Sequence, residues 1–170
     1  MKSTGDRAYI APAKSVEWST PQAFFEFCER EFGEFDLDAA ASPTNTKCDC
    51  YYTRGDDSLA QDWPGSVWCN PPYGRRLREW VAKAEGVVHL EATQVVMLLP
   101  ARTGVRWFHD IFGRSGVTVY FVKGRLKFGD GDIPAGFDSI VLKFSMFDHA
   151  FRVGSIEKQG GEWKIAYEDA

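Results

Sequence analysis

The chain has 170 residues, enough for one domain with a substantial core, and its 44% hydrophobic and 15% aromatic content argues against a disordered chain. A formal charge of −4 argues against attachment to nucleic acid through bulk positive charge, so any such contact must be local. No apolar run reaches the ~18 residues of a membrane span and no signal-peptide core is visible. The expected setting is therefore the cytoplasm, with no membrane partner and with Cys28, Cys48, Cys50 and Cys69 as free thiols. The scattered His89, His109 and His149 and the lone Cys48/Cys50 pair give no zinc spacing, so no metal is expected.

Residues 1–14 show no periodicity and carry Gly5 and Pro12, which predicts a flexible arm ahead of a single domain over 15–170. Pro21 suits the first position of a helix, with Ser19 or Thr20 as its cap. Phe24, Phe25, Phe27, Cys28 and Phe32 follow at helical spacing until Gly33. Phe35 to Ala41 reads as a short strand opening into a loop of small residues, Ser42 to Lys47 as one helical turn, and Cys50 to Thr53 as another short strand. Gly55-Asp56-Asp57 is a turn, and Val67-Trp68-Cys69 is an apolar strand ending at Asn70. Leu77 to Ala84 is a helix with Leu77, Trp80, Val81 and Ala84 on one face.

Val95 to Leu99 is an unbroken apolar run, as expected of a strand buried on both faces. Val105 to Phe112 reads as a helix and Val117 to Val122 as a strand. Gly124 to Phe128 and Ser139 to Phe144, around a Gly129–Gly136 loop, predict a long hairpin; Phe151 to Ile156 and Trp163 to Tyr167, turned at Gly160-Gly161, predict a closing one. Strands alternating with helices give an α/β fold with an antiparallel carboxyl-terminal portion. Ligands in such sheets bind beyond the carboxyl ends of the strands, where the segments starting at Asp38, Asn70 and Pro100 all fall.

Asn70-Pro71-Pro72-Tyr73 carries the most chemical information. An aromatic amine is a poor nucleophile because its lone pair is delocalised into the ring. A carboxamide oxygen and a backbone carbonyl, each accepting one N–H, orient that lone pair toward an incoming methyl group. A proline carbonyl in a stiff turn is held in place by its locked φ, and a tyrosine just beyond can stack on a base withdrawn from its duplex. Placing donor and acceptor in line is worth ~7–11 kcal/mol. The same four residues also make a rigid strand-to-helix turn, a reading that weakens directly after an apolar strand.

With its neighbours, the tetrapeptide resembles one family. Trp18-Ser19-Thr20-Pro21, Phe35-Asp36-Leu37-Asp38-Ala39-Ala40-Ala41, Asp57-Ser58-Leu59, Trp63 and Val67 to Tyr73 look like the phage-type DNA N-6-adenine methyltransferases (Dam). Leu98-Leu99-Pro100-Ala101, Trp107-Phe108 and Gly124-Arg125-Leu126-Lys127-Phe128 continue the likeness, which runs roughly from Val16 to Phe144. It implies a shortened Rossmann-like methyltransferase sheet, S-adenosyl-L-methionine as donor and N6 of a flipped adenine in DNA as target, in the host cytoplasm if the gene is a phage's. Asn70, Pro71, Pro72 and Tyr73 resemble the catalytic motif.

By the same resemblance Thr20 and Pro21 lie near the donor's methionine carboxylate, a helix start being suited to an anion; an ordinary helix cap explains them equally. Asp38 resembles the acid facing the donor's ammonium, with Ala39 and Asn70 beside it, or it is a solvated loop acid. Asp57 resembles the acid that accepts from the donor's adenine amine, or it is a turn residue. Phe128 resembles the aromatic on the far side of the flipped base, or it packs a hairpin. Alanines stand where such cofactor loops usually carry glycines, and the Asp38–Asn70 stretch is short. The acid that usually holds the ribose has only Asn45, Asp49 and Asp56 as candidates.

No inserted recognition domain separates these motifs. Any sequence reading must then come from Arg75 to Arg78, from Arg102 to Arg106, or from the hairpin around Gly124 to Gly136, with Arg75, Arg76, Arg102, Arg125 and Phe128 as the candidate DNA contacts; the arginines grip phosphates or read guanine edges unless they are merely a solvated charged face. The same tetrapeptide also occurs in methyltransferases acting on protein glutamine N5 and on some RNA bases. A catalytically silent nucleic-acid-binding module is the alternative from another class, and intact Asn70 and Tyr73 weigh against it.

Overall fold

Strands β1 (Leu37–Asp38), β2 (Cys50–Tyr51), β3 (Gly65–Cys69), β4 (Ala92–Pro100), β5 (Val117–Val122), β6 (Ser139–Ser145), β7 (Arg152–Gln159) and β8 (Glu162–Glu168) share one sheet in a computed structural model. It describes residues 18–129 and 132–169, so the arm expected over 1–14 lies outside the described residues. The strand order is β2-β1-β3-β4-β6-β5-β7-β8. β2, β1, β3 and β4 pair in parallel, β6 runs antiparallel to both β4 and β5, β7 is parallel to β5, and β8 closes the edge antiparallel to β7. This is a mixed α/β sheet, parallel on the amino-terminal side and largely antiparallel on the other.

The apolar run expected to be buried on both faces is the middle of the sheet. Val95 to Leu99 are each fully buried in β4. Helix α1 (Gln22–Phe32) buries Phe24, Phe25, Phe27 and Cys28, setting Phe25 edge-on to Trp68 at 5.3 Å and Phe24 edge-on to Trp163 at 5.1 Å. Helix α2 (Leu77–Val87) buries Leu77, Val81, Ala84 and Val87, and helix α3 (Arg106–Ile111) buries Trp107, Phe108 and Ile111. Gly65 opens β3 at φ +73, and a Cβ there would lie 2.4 Å from the Asp36 carboxylate, whose Oδ2 accepts from Ser66 N–H. Only glycine lets that turn bring β3 alongside β1.

The stretch from Asp38 to Asn70 is shortened in a definite way. No α-helix covers the passage between β1 and β3; two 3-10 turns, Arg54–Asp56 and Ser58–Ala60, take its place. The buried Trp63 holds the second turn, its Nε1 donating to Ser58 O at 2.9 Å and to Ser58 Oγ at 3.1 Å. Trp80 of α2 packs beside it with ring centroids 6.0 Å apart.

Two local expectations are corrected. Neither Ser19 nor Thr20 caps α1. Pro21 occupies the cap position without any side-chain bond to the helix, because the Thr20 hydroxyl is engaged elsewhere. Gly124 to Phe128 is not a strand; the arms of the long hairpin are β5 and β6, joined by residues 123–138. Leu126 and Phe128 are buried by tertiary packing instead of by sheet pairing, which is why their alternation mimicked a strand. That loop is tied down by Ala135 N–H donating to Leu126 O and Gly129 N–H donating to Ser19 O, both at 2.8 Å. The closing hairpin turns at Gly160 and Gly161, both at positive φ, as the sequence pattern predicts.

Replacing Trp63 with alanine removes a fully buried ring and the two hydrogen bonds that anchor the 58–60 turn. Urea unfolding should show a loss of ~3–5 kcal/mol; a loss below ~1 kcal/mol would mean the ring holds nothing in place.

Candidate active site

Parallel pairing fixes where three separate segments end. Asp38 lies opposite Trp68, and Trp68 lies opposite Val96, so the chain leaving β1 and the chain leaving β3 emerge side by side, with the end of β4 next to them. A cavity of about 630 Å³ opens beyond Asp38 and Asn70. Asp38 and Ala39 line it together with residues 18–20, 53–55 and 57–59 and with Asn70, Pro72, Arg75 and Arg76.

Asp38 is buried, and its carboxylate accepts from Ala40 N–H at 3.3 Å and Lys47 N–H at 3.0 Å. Burial pushes its pKa up to about 6, against the opposing pull of those two N–H groups and the Lys47 charge. Because this folded-state value lies above the ordinary one, the group contributes stability below pH ~4 that is lost as pH rises through about 6. The cavity is therefore lined by a largely desolvated carboxylate. Ala39, with no exposed surface, lets the loop fold back so that Ala39 N–H reaches Trp68 O and Ala41 N–H reaches Tyr52 O, both at 2.9 Å.

Asp57 is the sole non-glycine residue at positive φ among the described residues, at φ 47 and ψ 65, and it lines the cavity. Such a conformation costs ~1–3 kcal/mol and persists where neighbours over-determine it. The neighbours here are the Thr53/Asp56 capping box before it and the Trp63–Ser58 bonds after it. Its side chain makes no capping bond.

The Asn70 carboxamide has both of its N–H groups engaged. Nδ2 donates to Trp18 O at 2.5 Å and to Thr20 Oγ1 at 2.9 Å. A backbone carbonyl can only accept, so the atom facing it must be the nitrogen, and the oxygen points the other way. That Oδ1 is buried and has no hydrogen-bond partner among the described residues. A buried acceptor left unpaired is costly and calls for a missing partner. Pro72 O accepts from Gly74 N–H at 2.9 Å, whereas the Pro71 carbonyl has no bond among the described residues.

Tyr73 sits differently from a ring lying open to a base. It is buried, its hydroxyl donates to Leu98 O at 3.0 Å, and burial raises its pKa well above the ordinary value. Its ring meets Phe137 edge-on at 5.6 Å and Phe128 edge-on at 6.4 Å, while Trp18 meets the same two rings at 5.1 and 5.6 Å. Trp18 lines the cavity and also belongs to this aromatic group. Tyr73, Phe128, Pro71 and Pro21 do not line the cavity.

Arg75 and Arg76 border the cavity, and Arg102 and Arg125 do not. Arg76 pairs with Glu79 at 2.8 Å and Arg125 with Asp138 at 3.3 Å, both exposed pairs. Arg75 and Arg102 have no ion-pair partner among the described residues. Of the three ribose candidates, Asn45 lies on the cavity, accepting from Ser42 N–H at 2.7 Å. Asp56 is committed to Thr53, and Asp49 borders a different, shallow depression. Sequence reading missed Lys47, Arg54 and Trp80 as cavity residues. None of the three carried a signal: Trp80 falls on the apolar face of its helix with Leu77, Val81 and Ala84, and Lys47 and Arg54 sit in turns with no periodicity. Among the described residues, no group of three His, Cys, Asp or Glu side chains is placed to hold a metal ion.

The family model described as DNA N-6-adenine-methyltransferase (Dam) matches residues 10–143. The DNA N-6-adenine-methyltransferase of Escherichia phage T1 is 40% identical over 96 residues, covering 55% of this chain and 39% of that protein. That of Haemophilus phage HP1 is 34% identical over 113 residues, covering 65% of each. The chain therefore spans less than two thirds of the length of either phage relative. A solved structure of the type IIL restriction-modification enzyme MmeI in complex with DNA matches 82% of this chain and 23% of that one, at 10% identity and a TM-score of 0.44.

A carboxyl carbon NMR titration of Asp38 should have its midpoint near 6, displaced upward by burial. A midpoint at the ordinary carboxylate value would show that the carboxylate is wetted.

Proposed function

On the premise that the chain belongs to the DNA N-6-adenine-methyltransferase (Dam) family, matched over residues 10–143, we propose that it transfers a methyl group from S-adenosyl-L-methionine to N6 of adenine in DNA. The observation that carries this reading is the buried, partnerless Oδ1 of Asn70, a residue bordering a cavity that a desolvated carboxylate also lines.

The residues present fit the donor. A cavity of about 630 Å³ lies within the ~300–1,000 Å³ usual for cofactor sites. The Asp38 carboxylate suits an ammonium, the small side chains of Ala39, Ala40 and Ala41 allow a bulky molecule to approach, and the Asp57 carboxylate can accept from an adenine amine. When bound, S-adenosyl-L-methionine supplies a methyl group activated by attachment to a positively charged sulfur. Asp38 must be ionised to face its ammonium, so donor affinity rises as pH increases through about 6.

The chain's own part in the chemistry is orientation. Asn70 Oδ1 and the Pro71 carbonyl each accept one N–H of the target amine and turn its lone pair toward the cavity; the proton leaves after transfer, so no strong base is required. Tyr73 and Phe128 flank the base. Their rings stand at 86° to one another, so admitting a flat base requires the 123–138 loop, which carries Phe128 and Phe137, to shift. Arg75 and Arg102 are available for phosphates, and Arg76 and Arg125 can exchange exposed carboxylates for them, since surface pairs are worth only ~0–1 kcal/mol.

Labelled methyl transfer to unmethylated DNA, followed by mapping of the modified base, tests the reading directly. N6-methyladenine is the expected product, and transfer only to RNA or a glutamine peptide defeats it. Asn70→Ala should lower kcat by at least ~100-fold with an unchanged far-UV spectrum, because the acceptor acts mostly at the transition state; near-normal turnover refutes the assigned role. Tyr73→Leu keeps an apolar side chain but loses the ring face and the bond to Leu98 O, so KM for DNA should rise more than the donor Kd, and an equal rise in both argues against stacking.

A further inference from the structure

We infer that Thr20 is a positioning residue for this reaction: its hydroxyl oxygen holds the Asn70 carboxamide so that Oδ1 is left free to accept from the target amine. The inference rests on the methyl-transfer reading for its consequence and on the Asn70 geometry for its physical content.

A carboxamide is flat, and its oxygen and NH2 group are nearly the same size, so packing by shape cannot decide which end faces the target. Hydrogen bonding can. With Nδ2 turned toward the target, the amide would present N–H donors to an amine whose own N–H groups need acceptors, and no productive contact would form. Two acceptors prevent this, Trp18 O at 2.5 Å and Thr20 Oγ1 at 2.9 Å. The first is backbone; the second is the side chain that completes the pair, and it is buried. Thr20 is free for this work because it does not cap α1, whose cap position is Pro21. The segment carrying both acceptors is itself held: Gly129 N–H donates to Ser19 O at 2.8 Å, and Asn45 Nδ2 reaches Ser19 Oγ at 3.4 Å. Fifty residues separate Thr20 from Asn70 in the chain, so the contact is purely tertiary.

Two other roles compete for the same residue, a plain structural one and direct anchoring of the donor, and a spectroscopic measurement separates them. The sequence holds two asparagines, Asn45 and Asn70, so full-length protein labelled with 15N-asparagine gives two side-chain NH2 pairs, assigned by loss of one in Asn70→Ser. Thr20→Val keeps the shape and removes the acceptor. It should move one Asn70 amide proton, speed its exchange with water, and lower kcat ~10-fold at saturating donor and DNA, as loss of one buried hydrogen bond implies. The donor Kd should stay within ~2-fold, and Thr20→Ser should restore both the amide signal and most of kcat. If Thr20→Val folds poorly, Thr20→Ala carries the same expectation. An Asn70 pair unaltered by either variant overturns the inference, as does a kcat defect that disappears once the donor is saturating. If the wild-type protein methylates no DNA, the functional reading fails alone, and the amide spectra still decide whether Thr20 holds Asn70.

Discussion

The parallel pairing of β1 with β3, and of β3 with β4, is the constraint on which the site depends. Parallel strands point their carboxyl ends the same way, so Asp38 and Asn70, 32 positions apart in the chain, leave the sheet as neighbours. The passage between them is short and has no α-helix. It compensates with Gly65 at positive φ, which lets β3 begin tight against the Asp36 carboxylate, and with Trp63, which fixes a 3-10 turn that lines the cavity. One slip in this register would turn Asp38 away from the cavity and remove the buried carboxylate from its lining.

Burial, more than charge number, sets the electrostatics. A net charge of −4 gives the molecule no general attraction to DNA, and the nine ion pairs among the described residues lie mostly on the surface, where solvent weakens them. The polar groups with energetic consequence are the few removed from water. Asp38 is disfavoured as an anion by burial despite the nearby Lys47 charge, and Asn70 Oδ1 is disfavoured without a donor. In the proposed reaction both would be relieved, the first by the ammonium of the donor and the second by the target amine. Stability withheld at these positions in the free protein is available to binding.

The aromatic group of Trp18, Tyr73, Phe128 and Phe137 joins the cavity to the 123–138 loop. Its rings satisfy one another edge-on in the free protein, which covers apolar surface that would otherwise face water. Among the described residues, Gly129 N–H donating to Ser19 O fastens the loop to the 18–20 segment, and that segment holds the Asn70 amide. The loop movement that the proposed reaction requires would therefore reach the Asn70 amide through this segment.

Much of this was legible in the sequence. Apolar periodicity marked α1, α2, α3, β4 and β5 near their observed bounds, because burial on one face or on two leaves different repeats. The strand-ending positions of Asp38, Asn70 and Pro100 followed from the same pattern, and the order of separated motifs marked the family. Local pattern failed where a residue's partner is distant. Leu126 and Phe128 alternate like a strand yet are buried by packing, Thr20 looks like a helix cap yet bonds Asn70, and Tyr73 looks available yet is closed in by Phe128 and Phe137. Side-chain type and spacing determined which chemical groups the chain possesses and which elements carry them. Which way the Asn70 amide faces, which arginines are already paired and how dry Asp38 lies were decided by tertiary structure alone, because hydrogen bonding and desolvation depend on neighbours that chain order does not specify.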